Sequence, residues 1–376
     1  MRILLIANIY PYETGGAEVQ ARHLAENWIQ KNHKITIAGN RIPSKKIKIQ
    51  EHNGQYIECI NINTIKINRF MRAASYTLSL FWLLLHRRKE FDVIYCRFIQ
   101  DAAIVISLFK KIRLLNIPFF VCAECSGGGG DATALKKLPY SNTIIKLIDK
   151  ECSAVNALSF KIEQELISIG FNKNKFCYIP NGIKKIEVGN NERGFNDPIK
   201  IIFIGRLCEQ KGIAYLFKAI AELNKKEIAI ELTVVGNGPL MQDLKELSYL
   251  IQIANIVNFT GRVDQETVFS LLTEHDIFVL PSLFEGFGIV AIEAMAMGLP
   301  VVVTRCGGPE DFVDNSVGRI AEAGNAASLA QALQELLELS PEELHAMGMA
   351  AREKVRNNFD INMVADQYIQ LFKQHI

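Results

Sequence analysis

The feature that most constrains this chain is an alternation repeated along its length: short apolar runs, each followed by turn residues and then a longer segment of helical period. That alternation is the pattern of βαβ units and parallel sheets. In the first half it predicts strands at Arg2–Ala7, Lys34–Ala38, Tyr56–Ile60, Val93–Cys96, Phe119–Ala123, near Ala157–Ser159 and at Phe176–Ile179, with a first helix over Ala17–Lys31. Residues 184–198, KKIEVGNNERGFNDP, interrupt the pattern with Gly, Asn and Pro and read as a linker. A second series follows, with strands at Ile199–Ile204, Ile230–Val235, Val257–Thr260, Ile277–Leu280 and Val301–Thr304. Its helices are expected at Ile213–Leu223, Leu240–Ile251, Gln265–His275 and Ile289–Met297. The economical fold is α/β, with two Rossmann-like doubly wound domains: residues 1–185, a linker at 186–198, and 199–359. A C-terminal helix, residues 360–376, is expected to pack back on the first domain.

Charge and cysteine content exclude several classes. Lys+Arg 42 against Asp+Glu 40 leaves +2, so there is no electrostatic reason to expect a nucleic-acid partner. The opening MRILLIANIYPYETGGAE reads as a core strand and lacks the long apolar region and cleavage site of a signal peptide. Eight cysteines are scattered without framework spacing, as expected of reduced thiols in the cytoplasm. Cys122 and Cys125 form a C-x-x-C, but no second pair stands at zinc-site spacing. Residues 70–90 are apolar from Ala73 to Leu85, end in His86-Arg87-Arg88-Lys89, and are too short to span a bilayer. They read either as a buried helix with a cationic last turn or as an interfacial helix on anionic lipid. Further basic clusters at Lys45-Lys46-Lys48, Lys110-Lys111-Arg113 and Lys136-Lys137 fall in the same domain, which keeps a peripheral site on the inner face of the cell membrane open.

In doubly wound sheets ligands collect at the carboxyl ends of strands, and the motifs of this chain lie there. The strongest is PSLFEGFGIVAIEAMAMGLPVV, residues 281–302. After a strand ending at Leu280 comes a loop with Gly286 and Gly288, then a helix whose free N–H groups and positive dipole end suit a pyrophosphate. Glu285 lies in the loop and Glu293 in the helix, too far apart for a close acid/base pair but able to address opposite parts of an elongated ligand.

With these residues the chain resembles the retaining GT-B glycosyltransferases of family 4 type, the glycosyl transferases group 1, whose signature is Glu, seven residues, Glu. Glu285 to Glu293 match it, Gly205-Arg206 to Lys211-Gly212 match G-R-x-x-x-x-K-G, Gly15-Gly16-Ala17-Glu18 match the N-terminal glycine loop, and Pro180-Asn181-Gly182 precede the linker. The resemblance spans essentially the whole chain. It implies transfer of a hexose-type sugar, with retention, from a UDP- or GDP-sugar bound in the cleft between the domains. The acceptor would be a glycan or lipid-linked molecule in cell-surface polysaccharide or glycolipid synthesis, with no cofactor and no metal required. By the same resemblance Glu285 accepts from hydroxyls of the transferred sugar, Glu293 holds the ribose, and Arg206 and Lys211 grip the diphosphate. Fixed cations and helix N–H groups are what a departing diphosphate needs as its charge grows.

Gly15, Gly16, Gly205, Gly236, Arg262, Gly286, Phe287, Gly288, Ile289 and Val290 are expected to line the donor, with Asn8, Tyr10 and Pro11 shaping the first loop. Family members often carry His or Asp near the end of the fifth strand. Here the nearest candidate is Glu124, with Asp131 behind it, across a glycine run expected to be a flexible loop on the acceptor side. Two other classes stay in view: a nucleotide-sugar-binding protein without turnover, and an NAD-type oxidoreductase. The latter rests on Gly127 to Ala132, which fit G-x-G-x-x-A, although that fingerprint normally opens the first βα turn.

Overall fold

The computed structural model describes residues 1–7, 15–40, 47–50, 56–65, 67–186 and 197–376. The chain divides into two units, Met1–Lys184 with Ile361–Ile376, and Lys185–Asp360.

The first unit is laid out as β1 (Arg2–Ile6), α1 (Gly16–Gln30), β2 (Lys34–Gly39), β3 (Ile47–Gln50), β4 (Tyr56–Asn61), α2 (Arg69–Arg87), β5 (Val93–Arg97) and α3 (Asp101–Lys111). It continues with β6 (Phe119–Ala123), α4 (Asp131–Lys136), α5 (Ser141–Glu151), β7 (Ala154–Ala157), α6 (Phe160–Ser168) and β8 (Phe176–Cys177). Its sheet runs β3-β4-β2-β1-β5-β6-β7-β8. Every pairing is parallel except β3 with β4. Parallel strands covered on both faces read as continuous apolar runs, and β5 and β6 are buried at every position.

β7 is the clearest departure from expectation, since it occupies Ala154–Ala157 and Ser159 instead caps α6, accepting from the Ile162 N–H at 3.3 Å. The polar Asn156 hid the strand. Its amide donates to the Ile179 carbonyl at 2.9 Å and the Tyr368 hydroxyl at 2.8 Å, so a buried strand tolerates it. Tyr368 belongs to a helix over Ile361–Lys373, which packs on α1 and the sheet. Trp28 donates to the Ala365 carbonyl at 3.1 Å, and its ring meets Tyr95, Tyr368 and Phe372 edge-on.

The second unit holds β9 (Ile199–Ile204), α7 (Ile213–Asn224), β10 (Ile230–Val235), α8 (Met241–Leu250), β11 (Val257–Gly261), α9 (Gln265–Glu274) and β12 (Ile277–Leu280). After these come α10 (Ile289–Ala296), β13 (Val301–Arg305), β14 (Gly318–Glu322), α11 (Ala326–Leu337) and α12 (Pro341–Asn358), and the helix over Ile361–Lys373 is α13. The sheet is wholly parallel in the order β11-β10-β9-β12-β13-β14. β14 and the short edge strand β3 went unanticipated, because an edge strand such as GRIAE carries polar side chains and no apolar run. Both sheets put their first strand in the middle and reverse winding beside it, between β1 and β5 in one unit and between β9 and β12 in the other. Such reversal points open a crevice at the carboxyl ends of the strands. Of the expected linker, Ile186, Asp197 and Pro198 fall within the described residues.

Candidate active site

In the second unit, the loops after β9 and β12 flank the reversal point and are laced together. The Leu283 N–H donates to the Gln210 carbonyl at 2.8 Å, and the Gln210 amide donates to the Phe284 carbonyl at 3.0 Å. Gly212 has φ +62, and a Cβ there would collide with the Pro281 carbonyl, so glycine is what lets these loops meet. The loop after β10 joins from the other side. Gly236, at φ +132, sits where a Cβ would strike the Gly205 carbonyl, and its N–H donates to the Gly261 carbonyl at 2.8 Å. Gly205, Gly236 and Gly261 are thereby drawn together at the carboxyl ends of β9, β10 and β11.

Charged side chains of both signs stand there. Arg206 is exposed and makes no side-chain hydrogen bond or ion pair among the described residues. Lys211 pairs with Glu285 Oε2, the two side chains only 17% and 15% exposed, and Ser282 Oγ also donates to that oxygen at 3.3 Å. α10 starts at Ile289, half-buried like Val290, from a left-handed Gly288 without side-chain capping. Its first N–H groups thus retain their donor capacity beside the pair. Gly286 is buried beneath this turn against Gly308.

Glu293 lies within α10, where burial pushes its carboxyl up to about 7 and a hydrogen bond from the Gln265 amide at 3.5 Å acts against that rise. Arg262, exposed at the end of β11, has no described partner. Phe287 turns its side chain into the core of the second unit. Its ring is 3% exposed, 5.1 Å from Phe312 and 5.8 Å from Phe359, so this residue can offer a ligand only its main chain.

One supporting element escaped the sequence reading. Glu310, after β13, accepts from the N–H groups of Gly307 at 2.7 Å and Gly308 at 2.9 Å, fixing the turn against which Gly286 packs. The available signal was Gly307-Gly308-Pro309-Glu310, a turn sequence one residue beyond the end of β13.

The remaining expected residues belong to the first unit. Gly15 and Gly16 are exposed and open α1, whereas Asn8, Tyr10 and Pro11 lie outside the described residues. Glu124 follows β6 and is buried against Arg97 at the end of β5, a partner that sequence spacing did not suggest. The Arg97 side chain is fully buried. Its Nη2 donates to Asn181 Oδ1 at 3.2 Å, whereas Nη1 meets no acceptor among the described residues. Although burial disfavours its charge, the facing Glu124 carboxylate holds the guanidinium pKa well above its ordinary value.

Asp131 plays another part. Its buried carboxyl accepts from the N–H groups of Ile99 at 3.0 Å, Glu124 at 2.8 Å and Cys125 at 3.3 Å, tying the loops after β5 and β6 together. Burial raises it to about 6 against the pull of those donors. The glycine run between them is anchored, not a free loop: the Gly127 N–H donates to the Glu165 carboxylate at 3.0 Å, and Thr133 Oγ1 donates to the Gly127 carbonyl at 2.8 Å. It follows β6 and leads into the six-residue α4, unlike a dinucleotide fingerprint, which joins the first strand to a full crossover helix.

Comparison with known proteins matches both units. The model of Glycosyltransferase Family 4 matches residues 14–185, and that of Glycosyl transferases group 1 matches residues 187–354. An uncharacterized glycosyltransferase of Methanocaldococcus jannaschii is 28% identical over 352 residues, covering 85% of this chain and 84% of its own. The N-acetyl-alpha-D-glucosaminyl L-malate synthase of Bacillus anthracis is 26% identical over 384 residues, covering 99% of this chain and 97% of its own. Among solved structures, Anabaena HepE in complex with UDP-glucose superposes with a TM-score of 0.75 at 18% identity, over 100% of both chains.

Proposed function

This chain belongs to glycosyltransferase family 4, with the GT-B fold, and from that premise we propose that it transfers a hexose-type sugar from a UDP- or GDP-sugar, with retention, to a glycan or lipid-linked acceptor. The observation that carries the proposal is the grouping of exposed Arg206, the Lys211–Glu285 pair and the N-terminus of α10 around one reversal point. Fixed cations and unspent N–H donors are matched to a diphosphate that gains charge as it leaves. The UDP-glucose complex of HepE supports a nucleotide-sugar donor, and the synthase of Bacillus anthracis supports sugar transfer by a chain of this length. The acceptor is expected to belong to cell-surface polysaccharide or glycolipid synthesis in the cytoplasm, where the eight free cysteines would stay reduced.

In the proposed roles, Arg206 and Lys211 hold the diphosphate, Glu285 exchanges its lysine contact for a sugar hydroxyl, and Glu293 accepts from the ribose. The acceptor oxygen bonds to the anomeric carbon on the face from which the diphosphate departs. The bond from that carbon to the phosphate oxygen breaks, and the acceptor proton passes to the departing oxygen. A double displacement would need a free carboxylate at the anomeric carbon. Glu124 is committed to Arg97 and Asp131 to three backbone donors, which favours the same-face route. NMR of the first-formed product tests this: the donor's anomeric configuration is expected, and an inverted product would overturn it.

A further inference from the structure

α2 contains no acidic residue, and only one of its sides is packed. Tyr76, Leu80 and Leu84 form the buried side at a spacing of four. On the outer side Leu78, Trp82 and Leu85 are exposed at i, i+4 and i+7, with Trp82 56% exposed and its ring stacked on His86 at 5.0 Å. This outcome matches neither a buried helix nor a polar surface helix. The end of α3 adjoins it, because Phe81 and Phe109 pack at 5.2 Å between centroids and an apolar cleft runs between Leu85, Arg88 and Leu114. Ile112 and Leu114, which follow α3, add further exposed apolar surface.

Cations frame this apolar face. Arg88, Lys89, Lys111 and Arg113 form no ion pair among the described residues. The neighbouring carboxylates are engaged elsewhere: Arg87 takes Glu90 and Glu58, both at 2.6 Å, and Arg2 takes Asp92 at 2.5 Å. An apolar stripe with an interfacial Trp and unopposed positive charge complements a negatively charged lipid surface. No described helix is long and apolar enough to cross a membrane, so the contact it suits is interfacial. We propose that α2 and the end of α3 are a docking face for an anionic bilayer, with Trp82 entering the headgroup boundary and the four cations on the headgroups. The inference goes beyond sugar transfer and can be tested without any donor.

The chain has two tryptophans, and Trp28 is fully buried, so a change in emission on adding lipid reports Trp82. With phosphatidylglycerol vesicles at low salt, the expected results are cosedimentation and a blue shift that Trp82→Phe abolishes. Each basic residue near such a surface contributes about fivefold, so Lys111→Glu/Arg113→Glu should weaken binding roughly 25-fold, and high salt should release the protein. Both variants alter exposed side chains outside the proposed site and should keep wild-type circular dichroism. Equal recovery from phosphatidylglycerol and phosphatidylcholine vesicles would overturn the proposal. So would binding unchanged in the charge variant, or a Trp82 shift that follows protein concentration without lipid, which would assign the face to self-association.

Discussion

Arg206 and Lys211 differ in what they must give up to meet a diphosphate. Arg206 is already exposed and has no ion pair among the described residues, whereas Lys211 must leave Glu285. Arg206→Ala and Lys211→Ala should each lower turnover by roughly 10²-fold or more while keeping the wild-type circular dichroism spectrum, with Lys211→Ala the less stable because it leaves Glu285 without its lysine. Near-normal rates in both would remove the assignment. Glu293 makes a pH prediction. Its carboxyl is raised from 4.5 to about 7, so in the free protein it is mostly protonated below neutral pH. A ribose-binding carboxylate must then lose that proton, and donor KM should fall as pH rises through about 7, with proton release on binding near pH 6 seen by calorimetry in buffers of different ionisation enthalpy. For folding the sign is opposite: the contribution of a raised carboxyl is fully present below 4.5 and is lost as pH rises through about 7. A pH-independent KM would sink the role. For Arg97 and Glu124, Arg97→Ala should cost about 3–5 kcal/mol by stranding a buried carboxylate. The paired change Arg97→Met/Glu124→Leu should be nearly neutral for stability yet slow, and Glu124→Gln should reduce the rate without trapping a sugar on the protein, as read by intact-protein mass spectrometry.

At the level of elements, glycine geometry and the latch formed by α13 set what the site can tolerate. Gly236→Ala places a Cβ against the Gly205 carbonyl at φ +132 and should both destabilise the second unit and raise donor KM. Tyr368→Phe removes a hydroxyl that joins Tyr95 at 2.9 Å to Asn156 at 2.8 Å, and should cost about 1–3 kcal/mol in urea unfolding with little change in turnover. The two series of strands and the glycines of the β9 and β12 loops were legible because burial on both faces writes a parallel strand as an uninterrupted apolar run. β7 was misplaced and β14 missed for the converse reason: Asn156 is satisfied by α13, more than two hundred residues on, and an edge strand needs no apolar run. The Arg97–Glu124 pair was illegible because its partners stand on neighbouring strands whose pairing, not their spacing, brings them together. Glu310 was overlooked because it binds main chain, and its Gly-Gly-Pro-Glu turn follows β13 without any charged motif of its own.

Across the molecule, the proposed function joins the family membership to the geometry of the second unit: we propose that side chains and main chain bind a nucleoside diphosphate without a metal bridge. Turnover should therefore survive EDTA, and a complete loss restored by divalent metal would count against that reading. The more direct measurement is calorimetric titration of UDP and GDP into the wild type and into Arg206→Ala/Lys211→Ala. One diphosphate should bind the wild type at a single site, and the double variant should bind it roughly 100-fold more weakly, the loss of two charge-assisted contacts. Failure of both nucleotides to bind the wild type, or equal affinity in the double variant, would contradict a donor site at the reversal point of β9 and β12.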